Sequence, residues 1–179
     1  VNFDGGPSCG IHVIPNFVDL EEFRPVEERS EIASAIHISN FRRVKRVPWL
    51  VNAFADALAM LRAQGKDAEL VLVGDGPQLG ETRRVARERD VCDRVRFLGL
   101  RSDLAELLAP ADLFCLASTE ESFGLSALEA MSSGTAVLGT RVGGVAEVVV
   151  DGTTGVLVDP TDRAAFAGEI ARLLGDRQE

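Results

Sequence analysis

From Ser34 onward, short apolar runs rich in β-branched residues alternate with stretches of helical spacing. The runs fall at Ala35–Ile38, Glu69–Val73, Val95–Leu98, Leu113–Leu116, Ala136–Leu138 and Val156–Val158. Nearly continuous apolar character over so few residues is the pattern of strands buried on both faces. Between them the spacing predicts helices over Val47–Ala63, with Pro48 in its first turn, and over Gln78–Arg89, Asp103–Leu108, Leu125–Ser132 and Arg163–Leu174. Repetition of strand, helix and strand predicts an α/β fold, a Rossmann-like parallel sheet with helices on both faces. Loops at the carboxyl ends of such strands are the expected ligand side.

One segment supports two local readings. Val148–Val150, Asp151-Gly152 and Gly155–Val158 resemble a hairpin by propensity and turn chemistry. A short helix from Val145 to Val149, after Gly143-Gly144, keeps the α/β rhythm and is the reading favoured here. Ahead of the alternation, Ile11–Ile14 is an apolar segment stopped by Pro15, Asn16–Asp19 opens an irregular connector, and Glu27–Glu31 is a charged surface run. The chain starts at Val1 and not at a methionine, so a fragment is expected, with Val1–Gly10 partly foreign or disordered.

Composition narrows the function classes. The 179 residues are 46% hydrophobic, enough for one well-buried domain. Nineteen basic against 28 acidic residues, a net charge of −9, exclude a general polyanion surface, so no nucleic-acid partner is expected, while a localised anion site stays open. Cys9, Cys92 and Cys115 have no disulfide or zinc-ligand spacing and read as packing residues; His12 and His37 read as structural, and no metal is expected. With no apolar run of membrane-spanning length and no signal-peptide pattern, a soluble cytoplasmic domain is expected.

Three stretches carry candidate chemistry. Ser39–Arg46 holds Arg42, Arg43, Lys45 and Arg46 where a strand's carboxyl end meets a helix start; it is either a solvated loop or a phosphate-neutralising one. Gly74-x-Gly76-x-x-x-Gly80 is a near relative of the dinucleotide fingerprint, but no acid ends the next strand to hold a ribose, and a tight turn explains the glycines without a cofactor. Glu121 to Glu129 brackets a third strand-to-helix junction. There Ser126 and Glu129 satisfy a capping box, or else Gly124 lets the backbone approach a ligand while the carboxylates bind sugar hydroxyls. Gly143-Gly144 would add a further close approach at the next junction.

The stretch Glu121-Ser122-Phe123-Gly124-Leu125-Ser126-Ala127-Leu128-Glu129 resembles the E-x7-E motif of retaining glycosyltransferases of the GT-B fold, the glycosyl transferases group 1. Ile14–Asp19, Leu72–Pro77, Arg96–Gly99 and Asp151-Gly152 with Gly155 fall in the order that family shows. The resemblance implies a two-domain enzyme of which 1–34 is the N-terminal segment and interdomain connector and 35–179 the nucleotide-sugar binding domain. It implies Lys45 on the phosphates, Glu129 on the ribose, Glu121 beside the donor sugar, and Phe123, Gly124, Leu125 and Ser126 offering main-chain groups. Arg96 and Leu98 would hold the base by main-chain contacts, and Gly74 would lie on the donor side. Asn40 stands where many relatives carry arginine, so Arg42 or Arg43 would take over that charge. Within the family, His37–Arg46 is most similar to the branch that joins N-acetylglucosamine from UDP-GlcNAc to L-malate in bacillithiol synthesis. No D-x-D sequence is present for a divalent ion, and acceptor residues would belong to a separate N-terminal domain, so donor binding without turnover is the expectation for this chain. A different UDP- or GDP-sugar transferase, an NAD-binding oxidoreductase module using Gly74, Gly76 and Gly80, and a non-catalytic module of the same fold stay open as alternatives.

Overall fold

The computed structural model describes residues 14 and 16–176. Cys9, His12 and the reading of Val1–Gly10 lie outside them. Six strands form one parallel sheet: β1 (Ala33–Ile38), β2 (Ala68–Val73), β3 (Val95–Gly99), β4 (Leu113–Leu116), β5 (Ala136–Thr140) and β6 (Gly155–Val158), in the order β3-β2-β1-β4-β5-β6. The helices are α1 (Val47–Arg62), α2 (Leu79–Glu88), α3 (Leu104–Leu108), α4 (Leu125–Ser132), α5 (Val145–Val148) and α6 (Arg163–Gly175). This is the doubly wound order expected from the alternation, with its reversal between β1 and β4.

The period of two along each strand divides the core in half. Ala35, Leu70, Leu72, Leu113 and Cys115 face α1 and α6 together with Phe54, Leu58, Phe166 and Ile170. Their neighbours Ile36, Val71, Val73, Phe114 and Leu116 face the other layer with Leu108, Ala127, Ala130 and Val145. Both sides of the sheet are therefore apolar, which is why the strands read as unbroken runs rather than as alternation.

Between Val145 and Val148 the chain is helical, and β5 pairs with β6 in parallel, an arrangement a hairpin cannot make. Asp151 makes the return turn: its carboxylate accepts the Leu157 N–H at 2.9 Å and pairs with Arg141 at 2.5 Å. The connector is more ordered than its composition implied. Phe23 is buried in the second half-core, and Arg29 donates to the Ala111 and Gly134 carbonyls at 2.7 and 3.1 Å. Among the described cysteines, Cys115 is buried in the core as expected, whereas Cys92 is exposed and not a core residue.

Gly74 and Gly76 have a definite structural use. A Cβ on Gly74 would stand 1.8 Å from the Ser39 carbonyl oxygen, and one on Gly76 2.0 Å from that of Asn40. Glycine here lets the turn after β2 lie against the loop after β1, which leaves the fingerprint no phosphate to explain. Gly80 meets nothing within 4 Å. Gly74→Ala is expected to lower the unfolding free energy by roughly 2–4 kcal/mol, whereas Gly80→Ala should leave it equal or raise it by up to about 1 kcal/mol. Urea titrations of the two variants check the contrast.

Candidate functional site

At the reversal point, chains leave β1 and β4 toward opposite ends of the sheet and a crevice opens outside their carboxyl ends. The loop after β1 is bounded by Phe41 and Arg46, both non-glycine residues in the left-handed region with φ of 43° and 53°. Between them Arg43–Lys45 makes a single 3-10 turn, closed by the Lys45 N–H on the Arg42 carbonyl at 2.8 Å. The Thr119 N–H donates to the Val44 carbonyl at 2.8 Å, tying this loop to the one after β4.

Across the crevice the Lys45 ammonium pairs with the Glu121 carboxylate, and the Ser118 hydroxyl reaches the same carboxylate oxygen at 3.4 Å. Their side chains are 19% and 14% exposed, so the pair is shielded from bulk screening yet reachable by a ligand. A cleft of about 500 Å³ opens over it, lined among others by Asn40, Arg42, Lys45, Glu121, Ser122 and Gly143. Arg42 thus lines the cleft while Arg43, equally charged and exposed, does not. Arg46 is diverted: it donates to the Pro160 carbonyl at 2.6 Å and lies 4.1 Å from the Trp49 ring centroid.

The α4 terminus departs from the capping-box reading. Gly124 is the N-cap, with φ 90°, and its carbonyl accepts from Ala127 and Leu128 at 2.9 and 3.2 Å. Ser126 lies inside the first turn and no side chain caps the helix. The Leu125 and Ser126 amides therefore have no partner among the described residues and are available to an anion. Glu129, half-buried, has its carboxyl raised above the ordinary range, mainly by desolvation and secondarily by Glu22. Gly143 and Gly144 mainly serve packing: a Cβ on them would stand 2.1 Å from the Glu121 carbonyl oxygen and 2.4 Å from that of Ser122, and the Gly144 N–H donates to Glu121 O at 2.9 Å. They hold Glu121 in place from behind.

Of the expected site residues, Asn40, Arg42, Lys45 and Glu121 line this cleft; Arg43, Phe123, Gly124, Leu125, Ser126 and Glu129 do not, and Arg96, Leu98 and Gly74 lie elsewhere. Arg96 is on edge strand β3, its side chain paired with Glu69 at 3.0 Å, and Leu98 follows it on the same strand. Gly74 packs on Ser39, as described above. His37, read as structural from sequence, is fully buried with both ring nitrogens engaged, by Cys115 O and Ser39 Oγ, each at 2.8 Å. Ser39 opens the cationic stretch, but a lone serine after a strand carries no sequence signal for its bond to His37. Among the described residues, no group of three or more His, Cys, Asp and Glu is placed to hold a metal ion, and no helix is long and apolar enough to cross a membrane.

A doubly wound sheet with a cationic loop, an acid and an uncapped helix start on the loops at its reversal point defines a Rossmann-like domain of α/β type. Residues 33–176 match the model of the glycosyl transferases group 1, and the chain belongs to that family. It is 40% identical over 96% of its length to N-acetyl-alpha-D-glucosaminyl L-malate synthase of Bacillus anthracis, of which it covers 46%. It is 35% identical over 99% of its length to D-inositol 3-phosphate glycosyltransferase of Nocardia farcinica, covering 42%. The chain spans just under half the length of these curated relatives. Among solved structures, Anabaena HepE in complex with UDP-glucose superposes with a TM-score of 0.82 at 26% identity, over 92% of this chain and 48% of that one. The C-terminal domain of a glycosyl transferase group 1 family protein from Francisella tularensis gives 0.78 at 25% identity, covering 89% of each chain. The sheet thus has the fold of about half of the HepE chain and of nearly all of the Francisella domain, the Rossmann-like α/β fold expected.

Burial lowers the pKa of His37 from 6.5 to about 4 against the partial support of the Cys115 carbonyl, with Lys45 pushing it further down and Glu121 up. The folded chain thus refuses a proton that the unfolded chain accepts, so stability falls as pH drops from about 6.5 toward 4. Between pH 7.5 and pH 5 the loss from this group is expected to reach about 2 kcal/mol, and Glu129, shifted upward, works in the opposite sense. Urea unfolding at the two pH values should show that the difference shrinks in His37→Gln; an undiminished difference would assign the acid sensitivity elsewhere.

Proposed function

We propose that this chain is the donor-binding half of a retaining glycosyltransferase that takes N-acetylglucosamine from UDP-GlcNAc and passes it to L-malate. The observation that carries the donor assignment is the Lys45–Glu121 pair at the reversal point, its acid on the loop that leads four residues later into the uncapped start of α4 with its free Leu125 and Ser126 amides. A nucleoside diphosphate leaving an anomeric carbon accumulates negative charge on its phosphates. Lys45 and Arg42 supply cations there and the α4 start supplies N–H donors, a combination that neutralises the leaving group without a metal. Glu129, on the second turn of that helix, is assigned to the ribose hydroxyls, and Glu121, freed from Lys45, to the donor sugar. Phe123 and Gly124 contribute main-chain groups. Arg96 and Leu98 are assigned to the base through their backbone only, since the Arg96 guanidinium is committed to Glu69.

The acceptor assignment rests on likeness. The malate synthase shares 40% identity with this chain, against 35% and 36% for an inositol 3-phosphate glycosyltransferase and an MMP mannosyltransferase. The nicotinamide alternative loses its support, because Gly74 and Gly76 are occupied by the Ser39 and Asn40 carbonyls. Calorimetric titration is expected to show UDP binding and no NAD binding, with UDP weakened about 10- to 100-fold by Lys45→Ala and about tenfold by Glu129→Ala. Unchanged UDP affinity in both variants would refute the donor site. In the complete protein, UDP release from UDP-GlcNAc should be stimulated by L-malate and not by inositol 3-phosphate; the reverse order refutes the acceptor.

A further inference from the structure

We infer that His37 and Ser39 form a positioning relay that holds the Asn40–Lys45 loop in the shape a diphosphate requires; this rests on the donor-site reading above. β1 and β4 register only at Ala35↔Leu113 and Ile36↔Phe114, and beyond those pairs the strands part to open the crevice. The Cys115 carbonyl, one residue past the last pair, is met by the His37 ring at 2.8 Å. A carbonyl only accepts, so Nδ1 carries the proton and Nε2 accepts from the Ser39 hydroxyl, also at 2.8 Å. The Ser39 oxygen in turn accepts the Phe41 N–H at 3.2 Å. The chain of bonds runs in one sense from β4, through a fully buried ring, to a buried phenylalanine held at φ 43°.

The relay ends where the loop is most strained. A bulky residue in the left-handed region persists only where its surroundings overdetermine it. Phe41 has three such restraints: its buried ring, its N–H on Ser39 Oγ, and its carbonyl accepting the Gln78 N–H at 3.1 Å. Immediately beyond it come Arg42 and Lys45, the cations assigned to phosphate. Removing the Ser39 hydroxyl leaves His37 Nε2 and the Phe41 amide without partners and lets the turn that aims both cations relax, with no side chain withdrawn from the cleft itself. Neither residue touches the ligand; both act through the loop.

The test compares Ser39→Ala and Ser39→Thr with the unaltered chain by UDP titration and by amide hydrogen exchange at Phe41, Lys45 and Arg46. Ser39→Ala is expected to weaken UDP about tenfold and to speed exchange at these three amides selectively, and Ser39→Thr, which keeps the hydroxyl, to restore both. UDP affinity unchanged in Ser39→Ala overturns the relay, as does exchange that rises equally throughout the sheet, the mark of a general stability role. If the unaltered chain binds no UDP, the donor-site reading fails, and exchange alone decides the relay: selective acceleration in Ser39→Ala upholds it and none overturns it. Should Ser39→Ala fail to fold, nitrogen NMR of the His37 ring decides. An Nδ1–H tautomer supports the relay, and an Nε2–H tautomer overturns it.

Discussion

The parting of β1 and β4 is the constraint on which the site depends. In a parallel sheet wound both ways from its middle, the two central strands send their chains in opposite directions, so no crossover covers their carboxyl ends. The gap this leaves is bridged by an attraction between side chains, Lys45 to Glu121, and by one backbone bond from Thr119 to Val44. Partial burial strengthens the ionic attraction relative to water while desolvation removes much of the net gain. Such a pair is suited to exchanging partners: an incoming anion can take the ammonium, and hydroxyl groups can take the carboxylate.

The walls of the gap are stiff because backbone lies against backbone. Gly74 and Gly76 press the turn after β2 onto Ser39 and Asn40, and Gly143 and Gly144 press the turn after β5 onto Glu121 and Ser122. Each pair serves one side of the cleft, the first behind the cationic loop and the second behind the acidic one. Left-handed Phe41 and Arg46 are sustained by this packing and by the Pro160 carbonyl and Trp49 ring that anchor Arg46. Rigid placement reduces the ordering that a ligand entering the cleft must impose when it binds.

Charge is distributed to the same end. The chain carries a net charge of −9, which repels polyanions at long range, yet cations are gathered where the sheet reverses. They divide by geometry into Arg42 and Lys45 in the cleft, Arg46 in a structural anchor, and Arg43 facing solvent.

Strand and helix positions were legible in the sequence because burial on both faces forces continuous apolar runs and the α/β alternation admits few topologies. Leu113–Leu116 and Leu125–Ser132 run as read, and most other elements end within one or two residues of the reading. The acid pair Glu121 and Glu129 and the cationic loop were legible too, since charges at strand-to-helix junctions stand out against apolar neighbours. What only the tertiary structure decided is which of these groups meet. Ser126 and Glu129 look like a capping box until Gly124 takes the cap position. Gly74 and Gly76 read as a tight turn and Gly143-Gly144 as a close approach to a ligand, and only the fold shows which distant carbonyls lie against them. His37 reads as a structural histidine, and only the fold supplies its partner, the Cys115 carbonyl 78 residues away. Sequence periodicity reports which face of an element is buried; it carries no record of the long-range backbone contacts that select, among chemically similar residues, the few that line the cleft.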